Sequence, residues 1–163
     1  MGSVVRGGTG GCGAGGSRER EVAILLPSEL CGKPQDPGVR LVGDDAEVRV
    51  QVPFAASDHD EPEPDFAVVP VSTDRAVHPG RAHLIVEVAN TSPRKDRIVK
   101  GAIYALAGVP EFWLVDVQRR LVEVYREPLG DHYTASHLAR PGDRIEVQGL
   151  PGRFVAVSDV FPV

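Results

Sequence analysis

The chain has 163 residues, a formal net charge of −5 and 42% hydrophobic residues, which together fit one domain with a single core. The negative charge gives no general attraction to nucleic acid, so any contact with DNA requires a local basic surface. Its two cysteines form no CxxC pair, which argues against a zinc site or a disulfide framework and fits a reducing cytoplasm. No apolar run reaches the roughly 18 to 20 residues of a membrane helix, and the start lacks the apolar stretch expected of a signal peptide.

The N-terminal part of the chain is rich in glycine. Residues 1–16 have too few apolar side chains to order themselves, so we predict a disordered tail there. The remaining residues, 17–163, are expected to form a single domain. Ser17 to Leu30 has the pattern of a short helix that begins at a serine cap. Between Val39 and Pro53 the pattern changes to an alternation of apolar residues with polar and charged ones, which indicates a half-exposed strand.

Two apolar strands further along each carry an acidic residue. Asp65 opens the strand Asp65 to Val71, after an acidic and proline-rich loop, and Glu87 interrupts the strand His83 to Ala89. An ionised group in an apolar strand is unfavourable unless it is paired, hydrogen-bonded or bound to a metal. Both carboxylates are therefore candidate functional groups. The structural alternative for Glu87 is an ion pair with Lys100 or with an arginine.

A helix is predicted after the second of these strands. Thr91 or Ser92 can cap its start, and Gly108 followed by Pro110 marks its end. Its apolar residues form a stripe that we expect to be buried: Ile98, Ala102, Ile103, Ala105 and Leu106. Three polar residues recur at every fourth position and share another face: Asp96, Lys100 and Tyr104. We expect that second face to present chemistry.

The second half of the chain has mainly the pattern of strands. Glu111 to Val117 and Leu121 to Arg126 predict a hairpin, in which Trp113 is a core aromatic residue and Asp116 caps a turn. The remaining predicted elements are a strand at Arg144 to Val147, a turn at Gly149 to Gly152, and a strand with a short helix between Phe154 and Phe161. Strands before and after one central helix indicate an α/β fold, a mixed β-sheet flanked by helices.

Two acids at strand edges and a lysine on the neighbouring helix suit phosphodiester hydrolysis. That reaction needs a cation that polarises a phosphoryl oxygen and lowers the pKa of an attacking water, and it needs positive charge near the phosphate. Asp65 and Glu87 can supply the carboxylates, and Lys100 can supply the positive charge. Magnesium takes few protein carboxylates and keeps several waters, so a backbone carbonyl such as that of Val88 would complete an adequate site.

Four segments of the chain stand out in combination. They are Pro64-Asp65, Leu84-Ile85-Val86-Glu87-Val88, Asp96 with Lys100 and Tyr104, and Gly108-Val109-Pro110-Glu111-Phe112-Trp113-Leu114-Val115-Asp116. Together they resemble the Uma-type putative restriction endonuclease family, which belongs to the PD-(D/E)xK nuclease superfamily. The resemblance covers Pro64 to Arg126 well and Leu150 to Phe161 weakly.

The resemblance implies a restriction-endonuclease-like fold and an endonuclease that hydrolyses DNA with Mg²⁺ or Mn²⁺. It implies Asp65 and Glu87 as metal ligands and Lys100 as the lysine that stabilises the phosphate. In the plain superfamily motif this lysine stands two residues after the acid, where the chain has Ala89. A lysine on the following helix can reach the same point because its four-carbon stem is long. A homodimer is an expectation at the level of the family.

Other interpretations remain open. Tyr104 also fits a core aromatic residue, and Asp96 can form an ordinary surface pair with Lys100 worth only about 0.3 to 0.5 kcal/mol, so both are supporting candidates. The unusual N-terminus and the negative charge fit a catalytically inactive binding or assembly module. A metal phosphatase acting on small phosphate esters is a weaker third hypothesis. A basic patch that could meet DNA phosphates comprises Arg94, Lys95, Arg97, Arg119, Arg120 and Arg126.

Overall fold

The computed structural model of the protein describes residues 39–42, 46–72, 74, 76–89 and 94–161. Several sequence predictions fall outside these residues. They are the disordered tail at 1–16, the start of the single domain at residue 17, the helix from Ser17 to Leu30, and the helix cap at Thr91 or Ser92. These remain predictions.

A seven-stranded sheet, with its strands in chain order, forms the framework of the described residues. The strands are β1 Val39–Val42, β2 Ala46–Val50, β3 Phe66–Pro70, β4 Leu84–Ala89, β5 Glu111–Asp116, β6 Leu121–Leu129 and β7 His132–Ala139. Strands β4 and β5 are parallel, and every other neighbouring pair is antiparallel. The sheet is therefore mixed, as the α/β prediction required.

One helix, α1 (Arg94–Leu106), connects the two parallel strands. A crossover of this kind is needed because parallel neighbours cannot be joined by a tight hairpin. The helix ends before Gly108, whose φ of 71° lies in the left-handed region that favours glycine, so the predicted end at Gly108 and Pro110 is confirmed. Among the described residues, no helix is both long and apolar enough to cross a membrane.

The two faces of the sheet bury two separate apolar cores. Trp113 lies at the centre of the first core, which is closed by a small ribbon of β8 (Arg144–Glu146) and β9 (Phe154–Ala156) and by a 3₁₀ helix, Val157–Val160. The second core lies under α1 and contains Tyr104, Phe112 and Ile85. The prediction of two core aromatic residues is confirmed, and so are the strand and short helix near the C-terminus.

Strand β2 differs from the prediction of one half-exposed strand between Val39 and Pro53. The segment contains two strands, and Glu47 and Arg49 of β2 are buried together with the apolar residues. Both faces can be buried because β2 lies between β1 and β3 and because its two charges pair: Arg49 Nε donates to Glu47 Oε1 at 2.9 Å. The strand ends where Gln51 takes a φ of 50°.

The predicted buried stripe of α1 is wrong in part. Ile98 is 63% exposed and Leu106 is 68% exposed, whereas Tyr104 and Ala105 are buried. The helix is rotated so that its polar face turns towards β4, and Gly101 lies close to Phe112, where an added Cβ atom would be 3.5 Å from the ring. Polar contacts with the sheet, rather than aliphatic packing, therefore set the rotation of α1.

The predicted hairpin of β5 and β6 is confirmed, although β6 extends further than Arg126. Asp116 caps its turn, since Oδ1 accepts a hydrogen bond from the Arg119 backbone N–H at 2.9 Å. Strand β7 was not predicted. Most of its side chains are exposed, and it pairs with β6 at the edge of the sheet, so its sequence carries little apolar alternation.

Candidate active site

Strands β3 and β4 bring the two predicted carboxylates side by side. Ala67 pairs with Ile85 across the antiparallel ladder, and Asp65 and Glu87 each lie two residues further along. Because side chains alternate along a strand, both carboxylates share the sheet face that α1 covers. The backbone N–H of Val88 donates to Asp65 Oδ2 at 2.7 Å, which fixes Asp65 against β4.

Glu87 meets the helix through two hydrogen bonds. Lys100 Nζ donates to Oε2 at 2.8 Å, and the Tyr104 hydroxyl donates to Oε1 at 2.6 Å. Lys100 and Tyr104 are four residues apart, so they lie on the same side of successive turns of α1. The structure thus joins Glu87, Lys100 and Tyr104 directly, with Asp65 just before the neighbouring strand β3. The structural alternative for Glu87, an ion pair with Lys100, is also present.

Burial controls the protonation of this cluster. Removal of Glu87 from water raises its pKa above the ordinary value of 4.5, and this outweighs the opposing effects of the Lys100 and Tyr104 hydrogen bonds. The negative charge of Asp65 raises the pKa of Glu87 further. Burial and the Glu87 charge raise the pKa of Tyr104 too, so its hydroxyl stays protonated and remains a donor. A cation near both carboxylates would favour their ionised forms.

Two further residues, Asp96 and Val88, were predicted to belong to the site. Asp96 lies in the first turn of α1, four residues before Lys100. Val88, predicted to offer a carbonyl to a metal, uses its N–H to hold Asp65. Among the described residues, no group of three or more His, Cys, Asp or Glu side chains could hold a metal. Two carboxylates with a carbonyl suit magnesium, which retains waters, and do not suit zinc.

Comparison with known proteins supports the assignment made from the sequence motifs. The family model of Uma2, described as putative restriction endonuclease, matches residues 13–158. The chain belongs to this family. The resemblance noted from the sequence is therefore confirmed at the level of the family. No curated protein matches the chain.

A solved structure is similar to this Uma2-family chain in fold. It is the crystal structure of a putative nuclease belonging to DUF820 from Anabaena variabilis ATCC 29413, which is 17% identical in sequence with a TM-score of 0.59. The match covers 87% of this chain and 76% of that protein. At this identity the likeness shows a shared nuclease-like fold, which confirms the predicted fold class.

Sequence reasoning missed one charged group on the same sheet face of the Uma2-family chain. Arg49 pairs across the ladder with Ala67, two residues from Asp65, and it is held by Glu47 and by the carbonyl of Val77 at 3.2 Å. The only signal in the sequence was the spacing, because opposite charges two residues apart in a strand share one face. The alternating pattern had instead indicated that these side chains face solvent.

Proposed function

We propose that this Uma2-family chain is a metal-dependent DNA endonuclease of restriction type, which hydrolyses phosphodiester bonds. The observation that carries the proposal is the contact of a lysine on α1 with a carboxylate on β4, next to a second carboxylate that immediately precedes β3. The family description, putative restriction endonuclease, supports the reaction class. Metal dependence and DNA as the substrate are parts of the proposal.

In this proposal Asp65 and Glu87 hold Mg²⁺ or Mn²⁺, with the carbonyl of Val88 as a third donor. Held there, such an ion would act as a Lewis acid towards a phosphoryl oxygen and would lower the pKa of an attacking water. The hydrogen bond between Val88 N–H and Asp65 keeps one carboxylate in place. The Tyr104 hydroxyl, which stays protonated, keeps the other in place through Glu87 Oε1.

Lys100 has the charge and the access required to stabilise a phosphate. Its side chain is 32% exposed, in contrast to the buried Glu87 that it contacts. An ammonium group on a flexible stem can change partners from the carboxylate to a nearby phosphate oxygen as negative charge develops there. Lys100 would therefore neutralise Glu87 in the free protein and stabilise the phosphate during hydrolysis.

The proposed contact with DNA relies on fewer basic residues than the sequence suggested. Arg126 is half-buried and held by Glu111 through two hydrogen bonds, of 2.9 and 2.7 Å, so its charge is already paired. Arg119 and Arg120 are exposed at the turn between β5 and β6. Among the patch members whose side chains the structure describes, these two have the exposure needed to meet phosphates. A homodimer stays a prediction.

The second candidate function is a catalytically inactive binding or assembly module. Both oxygens of Glu87 already have donors from α1, and the described residues supply no third acid to the site. A buried carboxylate whose oxygens both accept hydrogen bonds can have a purely structural role. The module would keep the fold but bind metal weakly or not at all. A metal phosphatase, the third hypothesis, would use the same ion on small esters.

Cleavage of supercoiled plasmid tests the proposal. The native protein should nick or linearise DNA with Mg²⁺ or Mn²⁺ and stop when EDTA is added. Glu87→Gln and Lys100→Met should lose cleavage, because each removes a charge that the reaction needs. Glu146→Gln is the matched control. Glu146 is exposed on the small ribbon, so this variant should cleave plasmid normally. Cleavage by Glu87→Gln at the native rate would refute this site.

A parallel assay separates the three hypotheses. The folded protein is given plasmid and a chromogenic phosphomonoester, such as p-nitrophenyl phosphate, and Mn²⁺ binding is followed by calorimetry. Hydrolysis of the ester without DNA cleavage would favour the phosphatase. Neither reaction, together with absent Mn²⁺ binding, would favour the inactive module. DNA cleavage that resists competition by excess ester supports the endonuclease.

A further inference from the structure

A second concave site lies on the other side of α1. A cavity of about 490 Å³ opens between α1 and the three strands β5, β6 and β7. Its size falls within the range of small-molecule sites, roughly 300 to 1,000 Å³. Neither Lys100 nor Tyr104, which contact Glu87, lines the cavity, and its lining includes both apolar and charged side chains.

Helix geometry separates this cavity from the Glu87 site. Ile98, Gly101 and Ala102 line the cavity, whereas Lys100 and Tyr104 contact Glu87. At 100° per residue, the centres of these two groups lie roughly 130° apart around the helix axis. A ligand in the cavity would therefore bind on a different flank of α1 from the acids, so the two sites can be tested independently.

Aromatic rings line the cavity in a fixed arrangement. Phe112 stacks on Tyr125, with ring centroids 5.6 Å apart at 23°, and on Tyr133, at 6.2 Å and 25°. The Tyr133 hydroxyl donates to the carbonyl of Val109 at 3.0 Å, and the Tyr125 hydroxyl donates to Glu123. Two half-buried tyrosines with tethered hydroxyls offer a preformed apolar surface for a planar ring.

Charged groups stand at the rim of the cavity. Arg119, in the turn between β5 and β6, is exposed and lines the cavity, while its neighbour Arg120 lies over the ring of Phe161. Two carboxylates also line the cavity, the half-buried Glu123 beside the aromatic rings and the exposed Asp131. A guanidinium recognises a phosphate group, and a carboxylate accepts hydrogen bonds from the amino groups of a heterocycle. The rim is thus suited to a ligand with both features.

We infer that this cavity binds a nucleotide, with its base against Tyr125 and Tyr133 and its phosphate against Arg119. The base and phosphate can belong to a free mononucleotide or to an unpaired nucleotide of a DNA strand, since the chemistry presented is the same. Recognition requires both parts, the planar ring and the anion. The inference does not depend on the proposed hydrolysis.

Calorimetric titration of the full chain tests the inference. Adenosine 5′-monophosphate is compared with ribose 5-phosphate, which lacks the base, and with adenosine, which lacks the phosphate. A short single-stranded oligonucleotide is compared with the same oligonucleotide carrying abasic sites. The mononucleotide should bind at least tenfold more tightly than either fragment. Weaker binding of the abasic oligonucleotide than of the intact one would show that the cavity also accepts a nucleotide that is part of a DNA strand.

Substitutions locate the binding. Ala102→Phe fills the cavity and should weaken binding at least tenfold, whereas Val99→Phe, on an exposed position outside the cavity, should change it less than twofold. Arg119→Gln should weaken nucleotide binding about tenfold, whereas Arg153→Gln, at an exposed position outside the cavity, should change it less than twofold. Thermal melting checks that each variant folds.

Three results would overturn the inference. They are no measurable binding by the native protein, equal binding of ribose 5-phosphate and the nucleotide, and undiminished binding by folded Ala102→Phe. Glu87→Gln should bind nucleotide like the native chain, because Glu87 does not line the cavity. If the native protein binds nucleotide but does not cleave plasmid, the proposed endonuclease fails and the cavity inference stands. If it cleaves plasmid but does not bind nucleotide, the cavity inference fails and the endonuclease stands.

Discussion

Glu87 on β4 and Glu111 on β5 are buried glutamates on neighbouring strands, yet their surroundings differ. Glu111 is 0% exposed and accepts hydrogen bonds from Trp113 Nε1, from two nitrogens of Arg126 and from the Gln148 backbone N–H. Glu87 is 7% exposed and accepts from Lys100 and Tyr104. Glu111 joins the small ribbon to the sheet, whereas Glu87 lies beside a second carboxylate.

The difference shows how a buried acid can serve structure or chemistry. The donors to Glu111 come from three elements and surround both oxygens, so the carboxylate cannot change partners without disrupting the first core. The donors to Glu87 come from one helix, and one of them, Lys100, reaches solvent. We expect substitutions at Glu111 to affect folding and substitutions around Glu87 to affect activity.

Removal of the Glu111 carboxylate should have the largest effect. Glu111→Ala leaves Trp113 Nε1 without its acceptor and removes the charge partner of Arg126, so it should lower the free energy of unfolding by about 3 to 5 kcal/mol. Urea denaturation followed by tryptophan fluorescence measures this change. The exposed Glu63→Ala should change it by less than about 0.5 kcal/mol. Equal stabilities of the two variants would contradict a structural role for Glu111.

Lys100→Met should reduce cleavage about 100- to 1,000-fold, because it removes positive charge near the phosphate. Single-turnover nicking of plasmid gives the rate, and circular dichroism gives the fold. The effect on stability should be small by comparison, since the raised pKa of Glu87 lets this residue take up a proton when its partner is lost. If Lys100→Met lost as much stability as Glu111→Ala, the main role of Lys100 would be to stabilise the fold.

Tyr104→Phe should change stability and cleavage moderately. The substitution removes a hydrogen bond of 2.6 Å to a charged group, worth about 1.5 to 3 kcal/mol in stability. It should also slow cleavage about tenfold, because Glu87 loses the group that orients it. Ser72→Ala is the control, since it removes a hydroxyl bond to a neutral carbonyl, that of Asp74, outside both sites and should leave cleavage unchanged. If both variants slowed cleavage alike, an orienting role for Tyr104 would be excluded.

The smallest effect concerns pH. Because folding raises the pKa of Glu87 above 4.5, the folded state holds its proton more tightly than the unfolded chain does. The contribution of Glu87 to stability is therefore fully present below about pH 4.5 and is lost as pH rises through the folded pKa. Urea unfolding measures the stability of the native chain and of Glu87→Gln across pH 4 to 7. The free energy of unfolding of the native chain should fall relative to that of Glu87→Gln as the pH rises. A rise in this difference with pH would contradict the prediction.

The sequence predicted those parts of the fold in which apolar pattern and packing agree. Strands β3, β4 and β5 have apolar runs, and Gly108 ends the helix by its conformation. The spacing of Lys100 and Tyr104 placed both on one face, and Glu87 drew attention because a carboxylate in an apolar strand needs a partner. The central contacts of the candidate site could therefore be expected from local rules.

The remaining features depend on partners that a local pattern does not contain. Glu47 and Arg49 are buried because they neutralise each other between two strands, although their alternation indicated a solvent-facing side. Ile98 is exposed because α1 is rotated towards Glu87 by polar contacts. Strand β7 is held by its ladder with β6 rather than by apolar side chains. The cavity arises only when α1 and the strands come together.

The bond between the Val88 amide and Asp65 sets how the spacing of the two acids can vary. A side chain tied to the backbone of the adjacent strand has little rotamer freedom, so the position of the Asp65 carboxylate depends on how β3 and β4 pair. Substitution of nearby side chains should leave that position almost unchanged. A different spacing of the two acids would require the two strands to pair in another register.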